Sequence, residues 1–94
     1  GSHDEAVSIG RALVDARVAA CANILGPLTS IYRWKGAIQE DQEVGLIVKT
    51  REELVDAATA MVNRLHSYDC PCVVTMPIIA GNLEFLDWIT SETQ

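Results

Sequence analysis

Basic residues are scarce in this chain: seven Lys and Arg stand against thirteen Asp and Glu, for a formal net charge of −6. Neutralising nucleic-acid phosphates takes clustered Lys and Arg, so the deficit argues against a nucleic-acid partner and equally disfavours an anionic membrane surface. No apolar run approaches the roughly 18 to 20 residues that span a bilayer. No leader with a basic start precedes the first helical pattern, and the expectation is a protein of the cytoplasm. Three prolines and six glycines are too few for a disordered linker, whereas 49% hydrophobic residues suffice for a packed fold. Ninety-four residues build one modest core. We therefore expect a single domain over residues 4–94, with Gly1-Ser2-His3 read as the scar of an expression tag. A Ser-His-Asp arrangement and a glycine-rich phosphate loop are both missing, and no enzyme is expected. Three cysteines, an odd number, fit free thiols in a reducing compartment better than a disulfide framework. Metal chemistry stays open.

The pattern that is present alternates helices and strands. Ile9, Leu13, Ala16 and Ala20 recur at three- and four-residue spacing, which predicts a helix ending near Val18 or Ala19. Ser2 and Glu5 fit a capping box at its start. "CANIL" reads as a short extended run stopped by Gly26-Pro27, followed by a strand at "TSIYRW" and a turn at Lys35-Gly36. In "EVGLIVKT", Val44, Leu46 and Val48 share one face of a strand while Gly45, Ile47 and Lys49 share the other. Thr50 and Glu53 suggest a second capping box, opening a helix with the apolar stripe Leu54, Ala57, Ala58, Met61, Val62 and Leu65 and with His66 at its end. "CVVTMPII" reads as a last strand, confined by Pro77 to a sheet edge or a bulge. Asn82 then caps a short helix carrying Phe85, Leu86, Trp88 and Ile89.

This order predicts an α+β fold: a ferredoxin-like βαββαβ sandwich with a C-terminal helix and with its first strand absent from this chain. That first strand would be central, so its absence is expected to leave two strands unpaired and the core open on one side. The stretches "RALVDARVAACANI", "TSIYRWKGAIQEDQEVGLIVKT", "HSYDCP" and "MPIIAGNLEFLDWI" together resemble the CutA divalent-cation-tolerance family, over about Asp4 to Trp88. The resemblance implies a homotrimer of ferredoxin-like protomers, distantly similar to the PII signalling proteins and associated with copper or another divalent cation, without established catalysis. An exposed edge strand such as "SIYRW" independently favours a covering neighbour. Where the family pattern runs His-Pro-Tyr-Glu-x-Pro-Glu, this chain has His66-Ser67-Tyr68-Asp69-Cys70-Pro71-Cys72, so a thiol stands in place of a glutamate.

Cys70 and Cys72, one residue apart, offer two soft donors to zinc or copper(I), with His66 available to complete the set; the competing reading makes both thiols small buried hydrophobes at a strand start. Cys21 matches a cysteine common in the family and implicated there in metal binding, or is a core thiol. By resemblance, Tyr32, Trp34, Lys49, His66 and Tyr68 belong in or near a cleft between subunits, and Asp69 is a candidate partner for Lys49; interface packing alone also accounts for the aromatics. A cleft of that kind that takes a small anion or a partner peptide, in the PII manner, is the alternative function. Glu40, Asp41 and Glu43, and likewise Glu52 and Glu53, read as solvated carboxylates, because a hard-ion site needs several convergent oxygens.

Overall fold

The computed structural model describes residues 1–94, ordered as α1 (His3–Asp15), β1 (Cys21–Trp34), β2 (Ala37–Lys49), a 3-10 turn (Glu52–Leu54), α2 (Val55–Leu65) and α3 (Leu83–Ser91). Helix α1 opens with half of the expected capping box: the Ser2 side chain accepts from Glu5 N at 3.1 Å, but the Glu5 carboxylate accepts from the Gly1 ammonium and Ser67 N–H and not from Ser2 N–H. Its end falls earlier than the apolar spacing predicts. Arg17 takes a left-handed φ of 61°, its N–H donates to Val14 O, and Val18 N donates to Leu13 O at 3.2 Å. These two bonds close the helix as a Schellman motif, so Ala16 is the exposed cap and not a core residue.

The two stretches expected before the hairpin turn are one long strand. Pro27 does not stop β1; the ladder absorbs it through a register irregularity between Leu25 and Pro27 and continues to Trp34. Lys35 and Gly36, with φ of 50° and 80°, make a two-residue turn with both central residues left-handed, the conformation that matches strand twist in a hairpin. Strands of 14 and 13 residues then form an arm that stretches the molecule to 45 × 25 × 22 Å. The radius of gyration, 14.4 Å, exceeds the ~12.4 Å expected for a compact chain of this length.

The sheet contains only these two antiparallel strands. The third strand expected at "CVVTMPII" does not form: no backbone–backbone hydrogen bond involves residues 67–81. A strand exists only through a neighbour's ladder, and here nothing supplies one. Val74, Met76 and Ile79 of this segment are 79%, 83% and 93% exposed. The second expected capping box also fails, because Thr50 Oγ1 donates to Val18 O at 2.7 Å and so ties the end of β2 to the loop after α1. The 3-10 turn takes its place, and α2 starts at Val55 without a side-chain cap. Asn82 does cap α3, accepting from Glu84 N at 3.0 Å.

The core is small. Ile9, Leu13, Ala19 and Ala58 are buried together, with Val18, Leu46, Val48, Met61 and Val62 packed around them. Leu46 and Val48 come from the face of β2 that the alternation marks as apolar, while Ile47 on the other face is exposed. The last turn docks beside the start of the loop after α1: Gln94 N donates to Arg17 O at 3.0 Å, and Arg17 Nη2 donates to Ser91 O at 3.2 Å. The chain as a whole exposes 6831 Å², about 1,500 Å² more than the roughly 5,300 Å² of a compact monomer of 10.2 kDa.

Candidate functional site

His66 caps the end of α2 with an extended backbone, which turns the chain sharply at residues 67–70. Two contacts fix this turn. Glu5, in the first turn of α1, accepts Ser67 N–H at 2.8 Å through Oε2, and His66 Nδ1 accepts Tyr68 N–H at 3.0 Å. Accepting that bond commits the Nδ1 lone pair, so the ring hydrogen of neutral His66 resides on Nε2. The Tyr68 ring leans on the imidazole at 4.7 Å between centroids, and its hydroxyl donates to Glu43 Oε2 at 3.2 Å. One turn thereby joins α1, α2 and β2.

The neighbouring part of the hairpin carries a second phenol–carboxylate pair, in which Tyr32 donates to Asp41. Strand register dictates the meeting. Tyr32 lies opposite Gln39, so Asp41, two residues farther along β2, is its same-face diagonal neighbour. Trp34, half exposed, shares the face of Tyr32 by strand alternation. The Asp41 hydrogen bond is the main reason that the Tyr32 phenol is pushed up to about 12. For Tyr68, partial burial raises the phenol first and the Glu43 bond adds to it. Glu5 goes the other way, to about 2, because Ser67 donates to its charged form through its side chain and its backbone N–H.

Of the residues singled out in the sequence, His66 and Tyr68 thus share one set of hydrogen bonds with Glu5 and Glu43, and Tyr32 pairs with Asp41 on the neighbouring stretch of hairpin; the sequence alone places these carboxylates at a cap and in solvent. The period-two spacing of Asp41 and Glu43 is the signal that places them on one strand face. Lys49 lies elsewhere, near the opposite end of β2, where its Nζ sits 5.4 Å from the centroid of Phe85. That aromatic face, and not Asp69, is its partner. Asp69 is exposed and makes neither a hydrogen bond nor an ion pair. Cys21, half-buried, lies opposite Lys49 in the ladder, and its Sγ contacts Asn23 Oδ1 at 3.5 Å. Cys70 and Cys72 are free and exposed in the single chain. Within one chain, no three His, Cys, Asp or Glu side chains are grouped to hold a metal ion.

An α+β chain with a long antiparallel hairpin, helices beside it and a tyrosine–carboxylate network where the hairpin meets the turn after α2 is a class with known members. The family model described as CutA1 divalent ion tolerance protein matches residues 1–92. The divalent-cation tolerance protein CutA of Thermus thermophilus is 47% identical over 98% of this chain and 89% of its own length. Human protein CutA is 43% identical over 95% of this chain, which spans half of the human protein. Among solved structures, the periplasmic divalent cation tolerance protein CutA from Archaeoglobus fulgidus superposes with a TM-score of 0.96 at 40% identity, covering 99% of this chain and 90% of that one. The chain belongs to the CutA1 divalent ion tolerance family.

Proposed function

We propose that the chain works as a homotrimer of ferredoxin-like protomers that binds copper or a similar divalent cation and contributes to tolerance of such ions. The observation that carries the assembly is the hairpin arm, which is uncovered on both faces. Ile31 and Ile38, 68% and 67% exposed, lie on one face, and Tyr32 and Trp34 lie on the other. Apolar residues so exposed on an edge strand need a neighbour. The surface in excess of a compact monomer also exceeds the ~800 Å² that one partner contributes to a standard interface. The number three comes from the family resemblance.

Metal binding takes its support from membership of a divalent ion tolerance family and from thiol chemistry. One chain supplies donors in small sets, with Cys70 and Cys72 as exposed thiols and Cys21 at the base of the hairpin, whereas His66 could join only by giving up the bond its Nδ1 accepts from Tyr68 N–H. A four-coordinate ion therefore needs donors from more than one copy, which fits a site at the crevice between subunits. The protein acts as a binder and not as a catalyst, in a reducing compartment such as the cytoplasm where its three thiols stay free. No helix is long and apolar enough to cross a membrane. The alternative, a PII-like cleft for a small anion, has less support, since the network around Tyr32 and Tyr68 is lined by carboxylates and Lys49 is engaged with Phe85.

The test is calorimetry of reduced protein with copper and with zinc, repeated after Cys21, Cys70 and Cys72 are all changed to serine. Binding that is lost in the triple variant supports the reading. Absence of binding in the parent, or undiminished binding in the variant, overturns it.

A further inference from the structure

Arg17 and Lys35 are the non-glycine residues with a left-handed backbone, a region that an L side chain enters at a cost. For Lys35 the two-residue hairpin turn requires it. Arg17 instead closes a helix at the position where glycine is the usual residue. Ala16, immediately before it, is still right-handed with φ of −77°, alanine and arginine are both good helix formers, and the apolar spacing of Ile9, Leu13, Ala16 and Ala20 runs on past this point. Local preference would continue α1.

The contacts that hold Arg17 come from the far end of the chain. Gln94 N donates to Arg17 O at 3.0 Å, Arg17 Nη2 donates to Ser91 O at 3.2 Å, and Glu92 Oε2 lies 3.7 Å from the same nitrogen. The turn that supplies these partners is pinned from its other side: Thr93, 6% exposed, accepts from Arg51 Nε at 2.8 Å and donates to Ile89 O at 2.8 Å. Beyond Arg17 the chain enters the sheet directly, with Val18 O accepting from Thr50 Oγ1 at 2.7 Å and Ala20 N donating to Lys49 O at 2.9 Å. Both bonds need the chain to leave the helix at Arg17, because one more helical residue would swing Val18 by about 100° around the axis.

We propose that the last turn, Ser91 to Gln94, is a conformational latch that sets where α1 ends. Seated, it holds Arg17 left-handed and lets β1 begin beside the end of β2. Displaced, it lets Arg17 relax into the right-handed region, so that α1 runs on and the bond from Ala20 to Lys49 at the base of the hairpin opens. Arg17 is the positioning residue through which the last turn acts on that base. The latch involves no metal ion and stands apart from the metal-binding reading.

Native-state hydrogen exchange at Ala20 N–H reads the opening and the Cα chemical shift of Arg17 reads its backbone, in the parent, Thr93→Val, Arg17→Gly and the two combined. Valine is close to threonine in shape and removes the hydroxyl that Arg51 holds. Glycine takes the left-handed conformation without strain, so a chain carrying Arg17→Gly no longer depends on the latch. Thr93→Val alone should speed exchange at Ala20 by roughly 2- to 12-fold, the net worth of one hydrogen bond, and move the Arg17 shift toward helical values. Added to Arg17→Gly, it should change exchange by less than about 2-fold. Equal acceleration in both backgrounds overturns the latch, because the last turn would then stabilise the domain without acting through Arg17; so does no acceleration in either. Arg51→Gln breaks the same hydrogen bond from its other end and repeats the cycle if Thr93→Val does not fold.

Discussion

Tyr68 donates its hydroxyl to Glu43 across 25 residues of chain, at 3.2 Å, and this bond joins the turn after α2 to the open edge of β2. No backbone ladder does so. Tyr68→Phe keeps the ring against His66 and removes only the hydroxyl. Chemical denaturation should show a loss of about 0.5 to 1.5 kcal/mol, the net worth of one hydrogen bond, and hydrogen exchange should quicken at Ser67 and Tyr68. An unchanged midpoint would mean that Glu43 is as well served by water.

Glu5 titrates at about 2 in place of 4.5 because Ser67 donates to its charged form. Its native value is depressed, so the stabilisation is present above about 4.5 and is lost as pH falls toward 2. Glu5→Gln should flatten the acid limb of a stability–pH curve by on the order of 1 kcal/mol, since the side chain is partly exposed and solvent screens it. Parallel curves for parent and variant between about pH 5 and pH 2 would contradict the linkage.

The Tyr32 phenol is raised to about 12 by its bond to Asp41. Here the neutral form is favoured, so the contribution is complete below 10 and disappears as pH rises through about 12. In an ultraviolet titration Asp41→Asn should return one of the two tyrosines toward 10, and Glu43→Gln should lower the other. A single tyrosine transition unmoved by Asp41→Asn would show that the pair does not form in solution.

Leu13 is the one large side chain with no exposure, at the centre of a core that otherwise includes Ile9, Ala19 and Ala58. Leu13→Ala should cost about 2 to 5 kcal/mol. A domain of this size is marginal to begin with, so thermal unfolding should drop well below that of the parent or the fold should fail altogether. A loss under about 1 kcal/mol would mean that the site collapses around the cavity.

Much of this arrangement is legible in the residues. Period-two alternation places Leu46 and Val48 inward, Lys35-Gly36 marks the hairpin turn, and Ser2 and Asn82 mark two helix starts. What is not legible depends on partners distant in sequence. Arg17 gives no local sign of the left-handed conformation that ends α1, because its support comes from Ser91, Glu92 and Gln94, more than seventy residues away. Thr50 has the capping chemistry but spends its hydroxyl on Val18 O. "CVVTMPII" has strand propensity, yet propensity makes no ladder without a neighbour. The tyrosine–carboxylate pairs are half legible: family resemblance points to the aromatic positions, whereas the pairing of Tyr32 with Asp41 follows only once the hairpin register is known.

Self-association through the uncovered hairpin arm is the premise on which the crevice and any shared metal site depend, and sedimentation equilibrium of the reduced, metal-free chain at micromolar concentration tests it most directly. The expected mass is three times the 10.2 kDa chain, falling to that of one chain when Ile31 and Ile38 are both changed to lysine. A parent that sediments as a cooperatively folded single chain under these conditions would contradict it.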